Sequence, residues 1–183
     1  WKKIKKAKKY VVYGARCGSD KKNHKLQKIK TVIANAKEAM KFKVNKVAGK
    51  SLKKGKYYVF SVTALDKNGK ELLESEMVYA ATKGVKAGNH SKVIMRVKKG
   101  SSLKKIKKAE LKEGKSLKLK CRAVKRSKKR KVTVYRQLAY ESTNEKVAAV
   151  SAKGRIKAKA KGKCYIYAYA QNGVCARVKV TVK

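Results

Sequence analysis

A dense run of cations, in the segment KRSKKRK, is the sharpest charged feature of the sequence. Cations packed this closely could hold phosphates, sulfates or sialic acids electrostatically, with an affinity that falls as salt rises. A solvated loop is the alternative, because charged runs usually face water. The hypothesis of a polyanion site at a hairpin tip rests on six side chains: Lys125, Arg126, Lys128, Lys129, Arg130 and Lys131.

Three tyrosines at every second position form the other candidate: Tyr165, Tyr167 and Tyr169. Side chains of a strand point alternately to its two faces, so the three would form one outward aromatic stripe. Flanked by cations, such a stripe could stack on bases or sugars. The same spacing is also typical of a stripe that packs against a neighbouring strand, loop or domain, and the sequence leaves both interpretations open.

Groups that could catalyse a reaction are sparse in this sequence. His24 and His90 fall in predicted loops, with no acid or cysteine at a telling spacing. No GxSxG, HExxH, P-loop or aspartate-rich calcium loop is present. Because a catalytic site needs convergent groups with tuned pKa values, we expect a chain that is not an enzyme and that holds no metal and no cofactor.

The four cysteines fit neither a CxxC metal site nor a dense disulfide framework. They are Cys17, Cys121, Cys164 and Cys175. Cys121 and Cys164 fall on predicted inward positions of two strands that could face each other. A buried bridge and a pair of small buried thiols both fit that placement.

The elements that must carry these side chains are β-strands. In the runs 155–161 and 177–183, apolar and polar residues alternate one by one, which is the pattern of strands with one buried and one solvated face. Asn68-Gly69 and Asn172-Gly173 each lie between two strand-like runs. Because Asn-Gly tolerates positive φ angles, both dipeptides predict tight hairpin turns.

A less regular strand follows the basic run. Apolar residues at Val132, Val134, Leu138 and Tyr140 predict alternation, but Arg136 breaks its parity. We expect a β-bulge at Arg136 or an arginine that reaches out from the edge of a sandwich.

The charge balance narrows the classes of partner. The 183 residues include 54 Lys and Arg against 10 Asp and Glu, for a formal net charge of +44. Such a chain could bind nucleic acid, or it could be a surface module that works against anionic wall polymers or mucus. Lysines occupy nearly every outward strand position and form no single stripe, which favours the surface module. No apolar run approaches the roughly 18 residues that predict a membrane span.

The first half of the chain resembles a fibronectin type III domain. The motifs are WKKI from Trp1, YVVY from Tyr10 and LKKGKYY from Leu52 to Tyr58. In that family a tryptophan opens the second strand and packs in the core. Leu52 and Tyr58 have the spacing of its tyrosine corner, in which the phenol hydrogen-bonds backbone near the strand entry. The resemblance covers 1–83 and implies a first strand before Trp1; either that strand belongs to a longer protein, or the fold begins differently from the family's.

The second half is similar to bacterial immunoglobulin-like domains of group 2, the type repeated in invasin- and intimin-like surface proteins. The resemblance covers 93–183 and rests on GKSLKLK from Gly114 and on the run from Tyr140 to Val182. Its signature positions are Tyr140, Ser142, Asn144, Val147, Ala148, Val150, Gly154, Ile156, Ala158, Gly162 and Ile166. The family implies a sandwich fold and a surface context, but it names no ligand.

Together these features predict an all-β chain of two tandem antiparallel β-sandwich (immunoglobulin-like) domains, 1–83 and 93–183, with a linker at 84–92. The resemblances imply a non-catalytic spacer or adhesion module of a secreted or cell-surface protein of a Gram-positive bacterium, next to N-terminal domains of the same parent. The charge supports a second hypothesis, a module that binds wall polymer, mucin, glycosaminoglycan or, less favoured, nucleic acid. A third is a set of accessory C-terminal domains of a larger secreted enzyme.

Overall fold

The part of the chain that the structure describes is built from strands. A computed structural model describes residues 1, 3–18, 24–35 and 39–183. Those ranges contain sixteen strands and no helix, so the all-β prediction is confirmed. A membrane-spanning helix is absent from the same residues. The chain divides into two compact units, unit 1 (Trp1–Ala87) and unit 2 (Gly88–Lys183).

Unit 1 consists of one antiparallel sheet and a short two-stranded ribbon. Its strands are β1 (Lys9–Arg16), β2 (Gln27–Ile33), β3 (Lys46–Val47), β4 (Lys50–Ser51), β5 (Tyr57–Leu65), β6 (Glu71–Glu74) and β7 (Val78–Ala81). In the sheet, β1 lies between β2 and β5, and β6 and β7 pair in succession with the other side of β5. The ribbon is β3 paired with β4. The small core of unit 1 contains Ala7, Tyr10, Met40 and Ala64.

Unit 2 is a sandwich of two sheets. Its strands are β8 (His90–Lys99), β9 (Ser102–Lys105), β10 (Lys108–Leu111), β11 (Ser116–Lys125), β12 (Ala139–Ser142), β13 (Ala148–Val150), β14 (Arg155–Ala158), β15 (Gly162–Tyr169) and β16 (Cys175–Val182). Sheet A has the order β10-β16-β15-β12, and sheet B the order β13-β14-β11-β8-β9. The pair β10–β16 is parallel, which departs from the predicted antiparallel arrangement at one edge of sheet A.

The two sheets of unit 2 meet through the apolar positions of their alternating strands. Ile156 of sheet B and Ile166 and Val178 of sheet A are 0% exposed. Burying an aliphatic side chain of this size stabilises a fold by roughly 1.5–3 kcal/mol. The alternation therefore fixes which residues face outward, since a one-residue slip would turn every apolar side chain to water.

Both Asn-Gly dipeptides form the predicted hairpin turns, in a three-residue form. Between β15 and β16, Ala170 N donates to Val174 O at 2.8 Å. Gly173 has a φ of 82°, as has Gly69 in the β5–β6 turn, and glycine adopts this left-handed conformation without a Cβ clash. A three-residue loop that ends in such a residue is a common hairpin connection. It sets the register of β15 against β16, with Tyr167 opposite Arg177.

The strand predicted across 132–140 is shorter than expected, because β12 begins only at Ala139. A buried side chain, Gln171, satisfies the backbone before it. Tyr135 N donates to Gln171 Oε1 at 2.9 Å, and Gln171 Nε2 donates to Thr133 O at 2.8 Å. Arg136 forms no bulge in a ladder; its Nη2 donates to Ala170 O at 3.3 Å. Side-chain hydrogen bonds thus replace strand pairing here.

The segment predicted as a linker, 84–92, contains the start of a strand. β8 begins at His90, so His90 does not lie in a loop as predicted. The division between the two units falls after Ala87. The domain limits 1–83 and 93–183 stay a prediction.

Candidate functional site

The three tyrosines lie on the outward face of sheet A. Between them β15 buries Cys164, Ile166 and Ala168, and the tyrosines themselves are half-buried. Opposite the tyrosines, β16 places Lys179, Arg177 and Cys175 in that order. On the other side, β12 places Glu141 opposite Tyr167. The stripe therefore lies in the middle of a sheet face, between a cationic and an acidic neighbour.

Arg177 joins two of the tyrosines. Its guanidinium carbon lies 4.6 Å from the centroid of the Tyr165 ring, a cation–π geometry. Its Nη1 donates a hydrogen bond to the Tyr167 hydroxyl at 3.2 Å. The rings of Tyr167 and Tyr169 stack with centroids 5.6 Å apart and planes 13° from parallel. The stripe is thus held in place by its own sheet.

Glu141 lies beside the tyrosine stripe and contacts Tyr169. Burial, and after it the nearby Glu141 that accepts a hydrogen bond from the phenol, raises the pKa of Tyr169. Glu110, also outward on sheet A, pairs with Lys183 at 2.6 Å between Nζ and Oε2. Carboxylates on the same face repel an approaching anion. The two carboxylates therefore offset part of the positive charge of the cations on this face.

The basic run does not form the tip of a hairpin. Lys125 ends β11, and the other five cations lie on the connection from β11 in sheet B to β12 in sheet A. Two backbone hydrogen bonds attach the run to the segment before β8. Arg126 N donates to Asn89 O at 2.9 Å, and Gly88 N donates to Lys131 O at 3.0 Å. The hairpin prediction is wrong because the strand after the run pairs in the opposite sheet.

Most of the charge of this run reaches solvent. Five of the six cationic side chains are exposed, and Arg130 is half-buried. The backbone of Arg130 lies close to Gly88, where an added Cβ would be 3.0 Å from Arg130 Cβ. The run is therefore a basic loop that two backbone hydrogen bonds attach to the segment before β8. Its exposed cations fit both the solvated-loop and the polyanion interpretations. The run starts at the end of β11 in sheet B, whereas the tyrosines lie on β15 in sheet A.

Sequence reasoning missed Arg177 and Glu141, the neighbours of the stripe across two strands. The length of the loop between β15 and β16 could have revealed that Arg177 lies opposite Tyr167. A two-residue turn at Asn172-Gly173 would place Val178 opposite Tyr167, with an inward residue facing an outward one. The three-residue loop places Arg177 there, and the burial parity of β16 would have selected it.

The cysteines of unit 2 have separate partners. Burial raises the pKa of the Cys164 thiol, which also hydrogen-bonds with Ser142. Burial likewise raises the pKa of Cys121, whose partner is the Tyr140 hydroxyl. All four cysteines of the chain are described and all are thiols, with Cys164 buried and Cys175 exposed. The sequence left open a disulfide between Cys121 and Cys164 or a pair of thiols, and the structure has the thiols.

Two clefts of unit 1 have linings of different character. One, of about 380 Å³, is lined mainly by apolar residues such as Trp1 and Phe60. The other, of about 400 Å³, is lined by Arg16, His24 and several lysines. No acid belongs to the described lining of either cleft. Among the described residues, no three His, Cys, Asp or Glu side chains converge closely enough to hold a metal ion.

The tyrosine corner expected in unit 1 is present. Lys53 N donates to the Tyr58 hydroxyl at 2.9 Å. Trp1 packs against the core, with its ring 5.5 Å from that of Tyr10, but it lies outside any strand, and Lys2 of the same motif lies outside the described residues. The contacts agree with the fibronectin type III resemblance, which stays a prediction.

In unit 2 the signature residues of the other resemblance meet at one corner. Ser142 Oγ donates to Ala148 O at 2.6 Å, and Asn144 Oδ1 accepts from Lys146 N at 3.1 Å. Gly154 has a φ of 74°, and a Cβ there would lie 2.8 Å from the Tyr140 ring. The bond from Ser142 to Ala148 joins β12 and β13 of opposite sheets, and the missing side chain of Gly154 leaves room for the Tyr140 ring.

The sequence profile of the bacterial Ig-like domain (group 2) matches residues 95–182. This half of the chain is a group 2 bacterial Ig-like domain. Sheets A and B, the tyrosine stripe and the basic loop all belong to this Ig-like domain. Its outward faces are therefore the places to look for function.

Two solved structures of intimin are similar to the chain at low identity. A mutant of intimin from EHEC O157:H7 is 15% identical, with 49% of this chain and 44% of that one covered and a TM-score of 0.34. The C-terminal 282-residue fragment of intimin, in complex with the intimin-binding domain of the translocated intimin receptor, is 12% identical, with coverage of 100% and 54% and a TM-score of 0.33. The chain thus spans about half the length of each. No curated protein matches the chain significantly.

Proposed function

We propose that the chain is a non-catalytic spacer and adhesion module of a secreted or cell-surface protein of a Gram-positive bacterium. The observation that carries the proposal is the group 2 Ig-like domain at 95–182. The second β-rich unit in tandem with it supports the same assignment. The basic composition, 54 Lys and Arg against 10 Asp and Glu, is the support for the Gram-positive source. N-terminal domains of the same parent would be the neighbours of this module.

The pairing of the last strand supports a spacer role. β16 pairs in parallel with β10, from Lys108 opposite Lys179 to Leu111 opposite Val182. A pull between the start of β10 and the end of β16 draws these two parallel strands past each other, so their hydrogen bonds are loaded together and not one by one. A spacer that transmits force needs this shear geometry.

Single-molecule pulling on the whole chain tests the spacer role. Handles at residues 107 and 183 load the β10–β16 pair in shear, whereas handles at residues 112 and 183 peel it from one end. We expect a clearly higher unfolding force for the first attachment, because it loads the pairing from Lys108 to Leu111 all at once. Equal forces for both attachments would contradict the spacer role.

The adhesion part of the proposal needs its own experiment, separate from the pulling test of the spacer part. Beads coated with the chain should attach to mucin-coated or glycosaminoglycan-coated glass more often than albumin-coated beads do. Attachment no better than that of albumin would contradict the adhesion part of the proposal.

Binding of anionic polymers is a second candidate function, supported by the charge of unit 2, which has 30 Lys and Arg against four Glu. Retention on heparin should weaken as salt rises, and salt-independent retention would contradict an electrostatic mechanism. The variant Lys128→Gln/Lys129→Gln/Lys131→Gln tests the basic loop, because unchanged retention would exclude it as the site.

A catalytic domain encoded upstream of Trp1 would instead support the third candidate, an accessory module of a secreted enzyme.

A further inference from the structure

The outward face of sheet B concentrates positive charge in a pattern that the sequence did not show. Nine cations of four adjacent strands alternate with the buried residues and form what we name the cation face: Lys92, Arg96, Lys98, Lys105, Lys118, Lys120, Arg122, Arg155 and Lys157. In its centre, Lys105 of β9 lies opposite Arg96 of β8, and Arg96 lies opposite Lys120 of β11. Three cations are therefore abreast on three neighbouring strands.

No acid shares this face. Unit 2 is described throughout, and its four acids are Glu110, Glu113, Glu141 and Glu145. Two of them lie on β10 and β12 of sheet A, and the other two lie in connections. Within unit 2, then, the strands of sheet B carry no carboxylate to balance the nine cations.

This arrangement is unfavourable in the protein alone. Like charges directly opposite each other destabilise a pair of strands. Neighbouring strands are about 4.8 Å apart, well inside the screening length of roughly 8 Å at physiological salt. A surface of this kind gains most when an external polyanion neutralises several of its charges at once.

We propose that the cation face binds a flexible linear polyol phosphate, a polymer in which phosphodiesters alternate with short polyol units. The proposal rests on the second candidate function above and gives it a surface and a partner. Along β11 the outward cations Lys118, Lys120 and Arg122 recur about every 6.7 Å, so a flexible chain can place successive phosphates over successive cations as it follows the twist of the sheet.

The rest of the face favours this polymer over other polyanions. The uncharged side chains in its middle are Ile94 and Val124, which lie opposite Arg122 and Lys92. The strands of sheet B carry no Phe, Tyr or Trp ring to stack a base, as single-stranded nucleic acids require. The major groove of duplex DNA admits a helix or a two-stranded ribbon, and the five-stranded sheet B is too broad to enter it.

The test compares two variants of the whole chain that lose the same charge. The face variant is Arg96→Gln/Lys105→Gln/Lys120→Gln, and the matched control on sheet A is Lys108→Gln/Lys163→Gln/Lys179→Gln. Binding of poly(glycerol phosphate) is measured by titration calorimetry across a salt series. We expect the face variant to bind roughly tenfold more weakly and its salt slope to fall by about 2, while the control changes less than about threefold.

Each other outcome overturns a defined part of the proposal. Equal weakening of both variants would show diffuse attraction and overturn the face as the site, while the second candidate function stands. Tighter binding of heparin or of an oligothymidine would overturn the assigned polymer class. If no polyanion binds, the second candidate function fails with it. The face variant should melt at or above the temperature of the unmodified chain, since repulsion is removed, and a lower melting temperature would contradict the premise of mutual repulsion.

Discussion

Sheets A and B share one core but present different outward faces. On sheet A, Arg177 lies over Tyr165, and the same face carries Glu110 and Glu141. On sheet B, nine cations lie together and no described residue of its strands is an acid. The net charge of +44 is therefore not distributed evenly. On sheet A two carboxylates offset part of the positive charge, whereas on sheet B no carboxylate does.

The largest expected effects come from the core that the two faces share. Ile156→Ala removes a fully buried side chain of sheet B, and Ile166→Ala removes one of sheet A. Each should lower the free energy of unfolding by about 2–5 kcal/mol, because each leaves a cavity between the sheets. Denaturant unfolding followed by circular dichroism measures both, with Trp1, the one tryptophan, reporting unit 1 separately. A large cost on one sheet alone would contradict a shared core.

The contact between Gly154 and Tyr140 should have the next largest effect. Gly154→Ala adds strain at a φ of 74° and a methyl 2.8 Å from the Tyr140 ring, so we expect a loss of roughly 2–5 kcal/mol. Gly114→Ala is the matched control, since Gly114 also has a φ of 74° but open space around it. It should cost only about 1–2 kcal/mol. Equal melting temperatures for the two variants would show that the ring does not press on this turn.

Removing one arginine should have opposite signs on the two faces. Arg96→Gln breaks the row of three cations and should raise the free energy of unfolding by about 0.5 kcal/mol at low salt. Arg177→Gln removes the cation over Tyr165 and the hydrogen bond to Tyr167, and should lower the melting temperature slightly. In roughly 1 M salt the gain from Arg96→Gln should vanish, because the screening length falls to about 3 Å. The same sign for both variants would remove the distinction between the faces.

The smallest effect is expected at His90, where the first strand of sheet B meets the β15–β16 loop of sheet A. Asn172 Nδ2 donates to His90 O at 3.0 Å. Burial, helped by the charge of Lys125 and opposed by a hydrogen bond to Asn172, lowers the pKa of His90. A base with a lowered folded pKa binds protons more readily when unfolded, so its contribution to stability is complete above about pH 6.5 and falls below it. The melting temperature should drop slightly more between pH 7 and 5 in the unmodified chain than in His90→Gln, and the reverse order would contradict this pKa direction.

Much of the fold of unit 2 follows from alternation in the sequence. The burial of Cys164, Ile166 and Ala168 and the outward tyrosines were predictable, because the side-chain period of a strand is fixed. The segment 132–138 was not, since its apolar residues alternate like a strand while Gln171, far along the chain, takes its backbone hydrogen bonds. Local patterns do not reveal a distant side chain that competes for the backbone.

The candidate surfaces show the same limit of local patterns. The basic loop was conspicuous because its cations are consecutive, yet the cation face gathers its residues from four strands. Lys105, Arg96 and Lys120 become neighbours only through the registers of β9, β8 and β11. Register depends on loop lengths and on which strands share a sheet, and a sequence specifies these only through the whole fold.

The central claim is that the cation face, and not the tyrosine face, meets the anionic partner. Backbone amide resonances of the whole chain, followed by NMR as poly(glycerol phosphate) is added, test it most directly. We predict the largest shifts at outward residues of β8, β9 and β11, centred on Arg96, and small shifts along β15 and β16. Shifts centred on Tyr165–Tyr169, or spread evenly over every lysine, would contradict the account.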